Sequence, residues 1–195
     1  MPLRPLPLLA PLAALSLAGC GVNTIPAADE TVKAKWADVQ SQYQRRADLV
    51  PNLVATVKGY ATHEQATLTG VTEARARATS VTLRADDLSD PAKMRAFQDA
   101  QNSLSGALGR LLSVKEAYPD LKADQQFLAL QSQLEGTENR INVARQDYNE
   151  AVRQYNTLIR TFPTALTAKI VYGATPKTPY EATSPGADQA PKVSF

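Results

Sequence analysis

Residues 121–162 read LKADQQFLALQSQLEGTENRINVARQDYNEAVRQYNTLIRTF, and their periodicity decides the fold. Phe127, Leu134, Ile141, Tyr148, Tyr155 and Phe162 recur every seven residues. Leu130, Thr137, Ala144, Ala151 and Leu158 are interleaved with them. Alternating steps of three and four place both sets on one stripe of an α-helix. The spacing predicts one helix over about Leu121–Phe162, a rod of about 60 Å at 1.5 Å per residue. A helix of that length needs an elongated bundle or a coiled coil to cover its seam.

The same pattern extends upstream. From Val32 to Ala74 one seam comprises Trp36, Tyr43, Val50, Val57, Glu64 and Val71, and the other Val39, Arg46, Leu53, Tyr60, Thr67 and Ala74. Pro51 falls inside this run and is expected to kink or split the helix, because it lacks a backbone donor and crowds the preceding turn. Residues 79–89 break the pattern and read as a loop. Asp90-Pro91 reads as an N-cap followed by a first-turn proline. The next helix, about Pro91–Ala117, carries Met94, Phe97, Leu104, Leu108, Leu111 and Tyr118 on one stripe. Pro163 ends the last long helix, and residues 164–172 form at most a short turn or helix. Pro176, Pro179, Pro185 and Pro191 mark residues 173–195 as an extended, poorly packed tail. The fold class is all-α, an up-and-down antiparallel bundle of three long helices, one kinked or split, spanning residues 29–172.

The N-terminus has a different composition. Arg4 is the one charged side chain before Cys20, and an apolar stretch runs from Leu6 to Leu17. It is about half the roughly 20 residues a membrane-spanning helix needs, and Pro7 and Pro11 interrupt it. The stretch ends in Leu17-Ala18-Gly19-Cys20, a lipobox-like sequence. Residues 1–19 therefore read as a signal peptide, Cys20 as the lipidated residue and residues 20–28 as a tether. Two or three acyl chains give stable anchoring. An ordinary signal peptide and a membrane-spanning anchor are the alternatives. Gly21, rather than Asp, after the Cys points to the periplasmic side of the outer membrane if the cell is Gram-negative.

Composition excludes several functions. With 195 residues, 21 Lys and Arg against 19 Asp and Glu, and one Cys and one His, the chain has neither a nucleic-acid footprint nor ligands for a zinc site of Cys and His. A single Cys excludes an internal disulfide. His63-Glu64 is the one place with acid/base potential, but position 67 is Thr, so the His-Glu-x-x-His motif is incomplete. No Glu-x-x-His, Gly-x-Ser-x-Gly or phosphate-cradling glycine loop occurs. No cofactor and no catalysis are expected.

Polar residues interrupt the stripes at defined places. Arg46 occupies a seam position and needs a carboxylate if buried, for which Glu138 is the natural partner. An anion-binding notch at the Pro51 kink is the alternative. Asn142, Asn149 and Asn156 recur every seven residues, one position past the apolar seam, with Asn139 and Gln146 near the same edge. Their amides either fix register against a neighbouring helix or line a polar groove for a ligand.

The segment Gln42-Tyr43-Gln44-Arg45-Arg46-Ala47-Asp48-Leu49-Val50-Pro51-Asn52-Leu53-Val54, with Val57-Lys58-Gly59-Tyr60-Ala61 and His63-Glu64, resembles the LemA family. So do Ala117-Tyr118-Pro119-Asp120-Leu121, Glu138-Asn139-Arg140-Ile141, Ala144-Arg145, Asp147-Tyr148-Asn149, Tyr155-Asn156, Phe162-Pro163 and the final Val193-Ser194-Phe195. The resemblance runs from about Val32 to Phe195. It implies a four-helix bundle held on a membrane outside the cytoplasm, and it supplies no catalytic residues. Many members resemble one another in keeping an N-terminal transmembrane helix, from which this chain departs. The expected function is a lipid-anchored helical scaffold that binds another envelope protein through the Pro51 region. That surface is expected to gather Arg45, Arg46, Tyr60 and His63, facing Glu138 and Arg145. Binding of a small ligand or cell-wall fragment along the asparagines is the alternative. Continuous heptads also allow self-association.

Overall fold

The computed structural model describes residues 23–181. Cys20, the segment 1–19 expected to be a signal peptide, and residues 182–195 lie outside them. Within them the helices are α1 (Thr24–Tyr60), α2 (Gln65–Ser80), α3 (Pro91–Ser113), α4 (Pro119–Ala123), α5 (Gln125–Leu158) and α6 (Thr164–Ile170). Short 3-10 turns cover Ala85–Ser89 and Val114–Glu116. Helices α1, α2, α3 and α5 run up and down. Round the bundle α5 packs on α1, α1 on α2 and α2 on α3. The expected all-α antiparallel bundle is what forms.

Seam residues become the core. Trp36, Val39, Tyr43, Val50, Leu53 and Val57 of α1 are buried, as are Phe127, Leu134, Ile141, Tyr148 and Tyr155 of α5. Trp36 meets Phe97 edge-on at 5.2 Å and donates its indole N–H to the Leu83 carbonyl at 3.1 Å. Asp90 caps α3 as its sequence indicates, accepting from the amides of Ala92 and Lys93, with Pro91 in the first turn.

Four features depart from the sequence reading. The chain stays helical through Pro51 and breaks instead at residues 61–64. Proline at 51 leaves the carbonyl of Ala47 without its helical donor, and Arg75 Nε of α2 donates to that oxygen at 2.8 Å. At the actual break, Gly59 and Thr62 are weak helix formers, and Ala61 is buried with its amide on the Val57 carbonyl. Tyr60, expected on a seam, is therefore exposed.

The second departure is the tether. Residues 24–28 are the start of α1, with Ile25 buried in the core. Third, the last long helix begins at Gln125 and ends at Leu158. Asp124 starts it by accepting from the Phe127 amide at 2.7 Å. Phe162, the final heptad residue, consequently lies beyond the helix on the surface.

The tail is the fourth departure, since residues 173–181 are extended but held against the bundle at Lys177, Thr178 and Tyr180. Tyr180 is buried and its hydroxyl meets that of Tyr43 at 2.5 Å. The reason lies in helix length. Helix α2 reaches only the half of the bundle built from the end of α1 and the start of α5. In the other half the core is closed by residues around Leu83 and Leu88 and by the tail.

Candidate functional site

Between the two halves of the core lies a polar layer. Arg46 is 1% exposed, the largest of the fully buried side chains. One terminal nitrogen, Nη1, donates to Ser105 Oγ at 2.7 Å and to Glu138 Oε1 at 2.9 Å. The other, Nη2, donates to the carbonyl and the side-chain oxygen of Gln101, at 3.0 and 2.8 Å. Gln101 in turn donates to the Ala78 carbonyl at 3.1 Å. The layer thus links α1, α2, α3 and α5. Three buried atoms around it, Gln42 Oε1, Arg46 Nε and Gln98 Nε2, have no partner among the described residues. All bonds of the layer are made only when the four helices meet in this register. The seam position of Arg46 signals the layer in the sequence. Gln98, Gln101 and Ser105 also sit within the α3 stripe, a signal the sequence reading passed over.

Glu138 is the outer member of this layer, with its side chain 43% exposed. Beside it, α3 and α5 face each other across a groove of about 540 Å³. Its floor is apolar, from Leu108, Leu112 and Leu134, and its rim carries Ser105, Glu135, Glu138 and Asn139. At Gly109 a side chain added to the backbone would meet open space. The groove therefore admits the close approach of another backbone, and helix-in-groove recognition uses such a geometry.

The remaining expected residues separate into different regions. Arg45, Asp48, Pro51 and Asn52 lie on the exposed outer face of α1, where Gln44 donates to Asp48 at 2.7 Å. Tyr60 and His63 stand exposed at the α1–α2 turn. There Tyr60 donates to Asp124 at 2.9 Å, and Tyr118 reaches Glu64 at 3.4 Å. Hydrogen bonds from the Phe127 amide and from Tyr60 hold the Asp124 carboxyl below its ordinary range. Arg140 is exposed on α5. Arg46 is buried and Arg145 lies against the tail, so the expected surface of Arg45, Arg46, Tyr60, His63, Glu138 and Arg145 does not assemble. Pro51 produces no notch there, because the helix continues through it.

The asparagines hold the tail. Asn149 donates to the Tyr180 carbonyl at 2.9 Å and accepts from its amide at 2.7 Å. Asn156 does the same with Lys177, both at 2.8 Å. Each side-chain amide thereby imitates a strand neighbour for one tail residue. Tyr148 adds a hydrogen bond to the Thr178 carbonyl at 2.8 Å. Arg145 stacks over the Tyr180 ring at 4.1 Å and donates to the Glu181 carbonyl at 3.3 Å. Burial raises the Tyr43, Tyr148 and Tyr180 phenols above their ordinary value. Both expectations for the recurring asparagines are corrected at Asn149 and Asn156, whose partner is neither a helix nor a ligand but the tail backbone.

Among the described residues no three His, Cys, Asp or Glu side chains gather as a metal-holding cluster, and no helix is long and apolar enough to cross a membrane.

The family model described as "LemA family" matches residues 35–195. The chain is 27% identical over 157 residues to magnetosome protein MamQ 2 of Paramagnetospirillum magneticum, covering 72% of this chain and 58% of that protein. It is 27% identical over 131 residues to protein LemA of Metamycoplasma hominis, covering 67% and 56%. A match to magnetosome protein MamQ of Magnetospirillum gryphiswaldense is 23% identical over 150 residues, covering 69% and 55%. The chain thus spans little more than half the length of the curated relatives it matches.

Proposed function

The chain belongs to the LemA family, and on that premise we propose that it is a membrane-anchored, extracytoplasmic helical scaffold that binds another cell-envelope protein and performs no chemistry. The anchor is the N-terminal segment with Cys20 as its lipidated residue, and the membrane is the outer membrane if the cell is Gram-negative. The observation that carries the reading is the groove between α3 and α5, with an apolar floor, a polar rim and an unobstructed glycine. Its shape suits an apolar helix of a protein partner. It replaces the Pro51 region as the recognition surface. Tethering raises the local concentration of a partner in the same membrane, so a modest groove suffices.

Site-specific photo-crosslinking in native membranes tests this reading. A benzophenone side chain replaces Leu112 or Asn139 in the groove, or Ala76 on the exposed face of α2. One envelope protein is expected to crosslink from both groove positions and not from position 76, and to be lost in a Cys20→Ala form. Crosslinks of equal strength from all three positions, or from none, would overturn the groove as the recognition site.

A further inference from the structure

Eight large hydrophobic side chains are exposed among the described residues, and five of them, Phe162, Leu166, Ile170, Val171 and Tyr172, lie between positions 162 and 172. Phe162 is 82% exposed, Ile170 78%, Val171 63% and Leu166 57%. Helix α6 is inverted relative to a surface helix in water. Its buried residue is the small Ala168, while Leu166 and Ile170, one turn apart, project outward. Soluble proteins seldom gather side chains of this size in one exposed patch without a partner surface.

Charge gives the patch a direction. Residues 151–180 contain no Asp or Glu, but they contain Arg153, Arg160, Lys169 and Lys177. Arg153 pairs with Glu150, and Lys177 with Asp29. Arg160 and Lys169 are exposed beside the apolar cluster. Apolar residues flanked by exposed cations and a tyrosine suit the boundary between anionic headgroups and acyl chains.

The chain path points to the same end of the bundle. Ile25, in the first turn of α1, shares a core cluster with Ile159 and Ala168. It also borders the same cleft as Tyr172 and Gly173. The segment leading back to Cys20, the lipidated residue of the proposed anchor, therefore joins the bundle at the end that carries the patch.

We propose that this end of the bundle is a membrane-docking tip. Phe162, Leu166, Ile170 and Val171 enter the headgroup–acyl boundary of an anionic bilayer, and Arg160 and Lys169 face lipid phosphates. The inference rests on the membrane-anchored reading only for the bilayer's presence. With the anchor, the tip gives two points of attachment and stands the rod upright. The α3–α5 groove is then held about 30 Å from the membrane, at 1.5 Å per residue of α5.

The full chain, reconstituted in phosphatidylglycerol–phosphatidylethanolamine vesicles with a diazirine phospholipid, tests this directly. After irradiation, tryptic cleavage at Arg160, Lys169 and Lys177 isolates residues 161–169 and 170–177. Adducts are expected on both peptides and on residues 20–22 beside the lipidated Cys20, with at least about ten-fold fewer on peptides from the 61–64 turn. The fourfold variant Phe162→Ser, Leu166→Ser, Ile170→Ser, Val171→Ser should lose the tip adducts and keep those on residues 20–22, with helicity unchanged. In phosphatidylcholine vesicles an Arg160→Gln, Lys169→Gln variant should label like the unsubstituted chain, and in the anionic vesicles less than it. Adducts confined to residues 20–22 would overturn the tip while leaving the anchor intact. Adducts on neither region would overturn both.

Discussion

Arg75 Nε donates to the carbonyl oxygen of Ala47 at 2.8 Å, the oxygen that Pro51 deprives of its helical donor. A buried carbonyl without a partner costs about 1–3 kcal/mol, so one guanidinium from α2 lets α1 continue through a proline. The pairing predicts non-additivity. Arg75→Ala should destabilise the chain by about 1–2 kcal/mol. In a Pro51→Ala background the new amide at position 51 supplies the missing donor, and the same substitution should cost less than about half as much. Equal losses in the two backgrounds, measured by urea unfolding, would show that Arg75 acts elsewhere.

The polar layer predicts an asymmetry between its two charges. Glu138→Ala leaves a fully buried guanidinium with neutral acceptors only. Its cost should fall at the lower end of the roughly 3–5 kcal/mol typical of a broken buried pair, because Glu138 is partly exposed. Arg46→Met removes the buried charge and the unpartnered Nε together but leaves the buried Gln101 Oε1 without its donor, and should cost about 1–3 kcal/mol, less than Glu138→Ala. Chemical denaturation of both variants checks the order. Arg46→Met as the more damaging change would contradict this account of the layer.

The tail predicts a local effect on exchange. Asn149→Ala and Asn156→Ala each remove two hydrogen bonds to the backbone, at about 1 kcal/mol apiece. Amide exchange at Tyr180 and Lys177 should accelerate by at least about ten-fold, with the α1 and α5 amides little changed. Tyr180→Ala empties a core position and should cost about 3 kcal/mol globally. A tail whose amides exchange equally fast in the unsubstituted chain would refute the packing described.

Acid should weaken the end of the bundle that carries the tail. Asp29 bonds Lys33 at 2.8 Å and Lys177 at 3.0 Å. Partial burial pushes its carboxyl up, but these two lysines outweigh that and hold it below its ordinary 3.8. A carboxyl lowered on folding stabilises the native state above its unfolded value, and loses that contribution as pH falls through the folded one. The unsubstituted chain should therefore lose melting temperature between about pH 5 and pH 2 more steeply than Asp29→Asn. Parallel curves for the two would show that the ion pairs contribute nothing.

The heptads made the bundle legible, because core burial follows a period that survives in the residue types. Arg46 was legible for the same reason, as a charge on an apolar seam that demands a carboxylate. The tail was not. Asn149 and Asn156 bind backbone atoms of an extended segment, and a backbone partner imprints no pattern on the segment's side chains; its four prolines argued against packing. The helix break was misplaced because Pro51 carries the stronger local signal, while its compensation comes from Arg75, distant in sequence. The α3–α5 groove is a gap between elements, so only the packing of the helices discloses it.

Filling the groove is the most direct test of the scaffold account. Gly109 is exposed, and open space surrounds its missing side chain, so Gly109→Phe should occupy the groove while leaving the core untouched. Crosslinking from Asn139 in native membranes is then compared with and without this substitution, at equal helicity and melting temperature. A partner helix seated in the groove should then be displaced, with at least about a ten-fold loss of the crosslinked envelope protein, equivalent to about 1.4 kcal/mol. An undiminished crosslink from a folded Gly109→Phe chain would contradict the scaffold account.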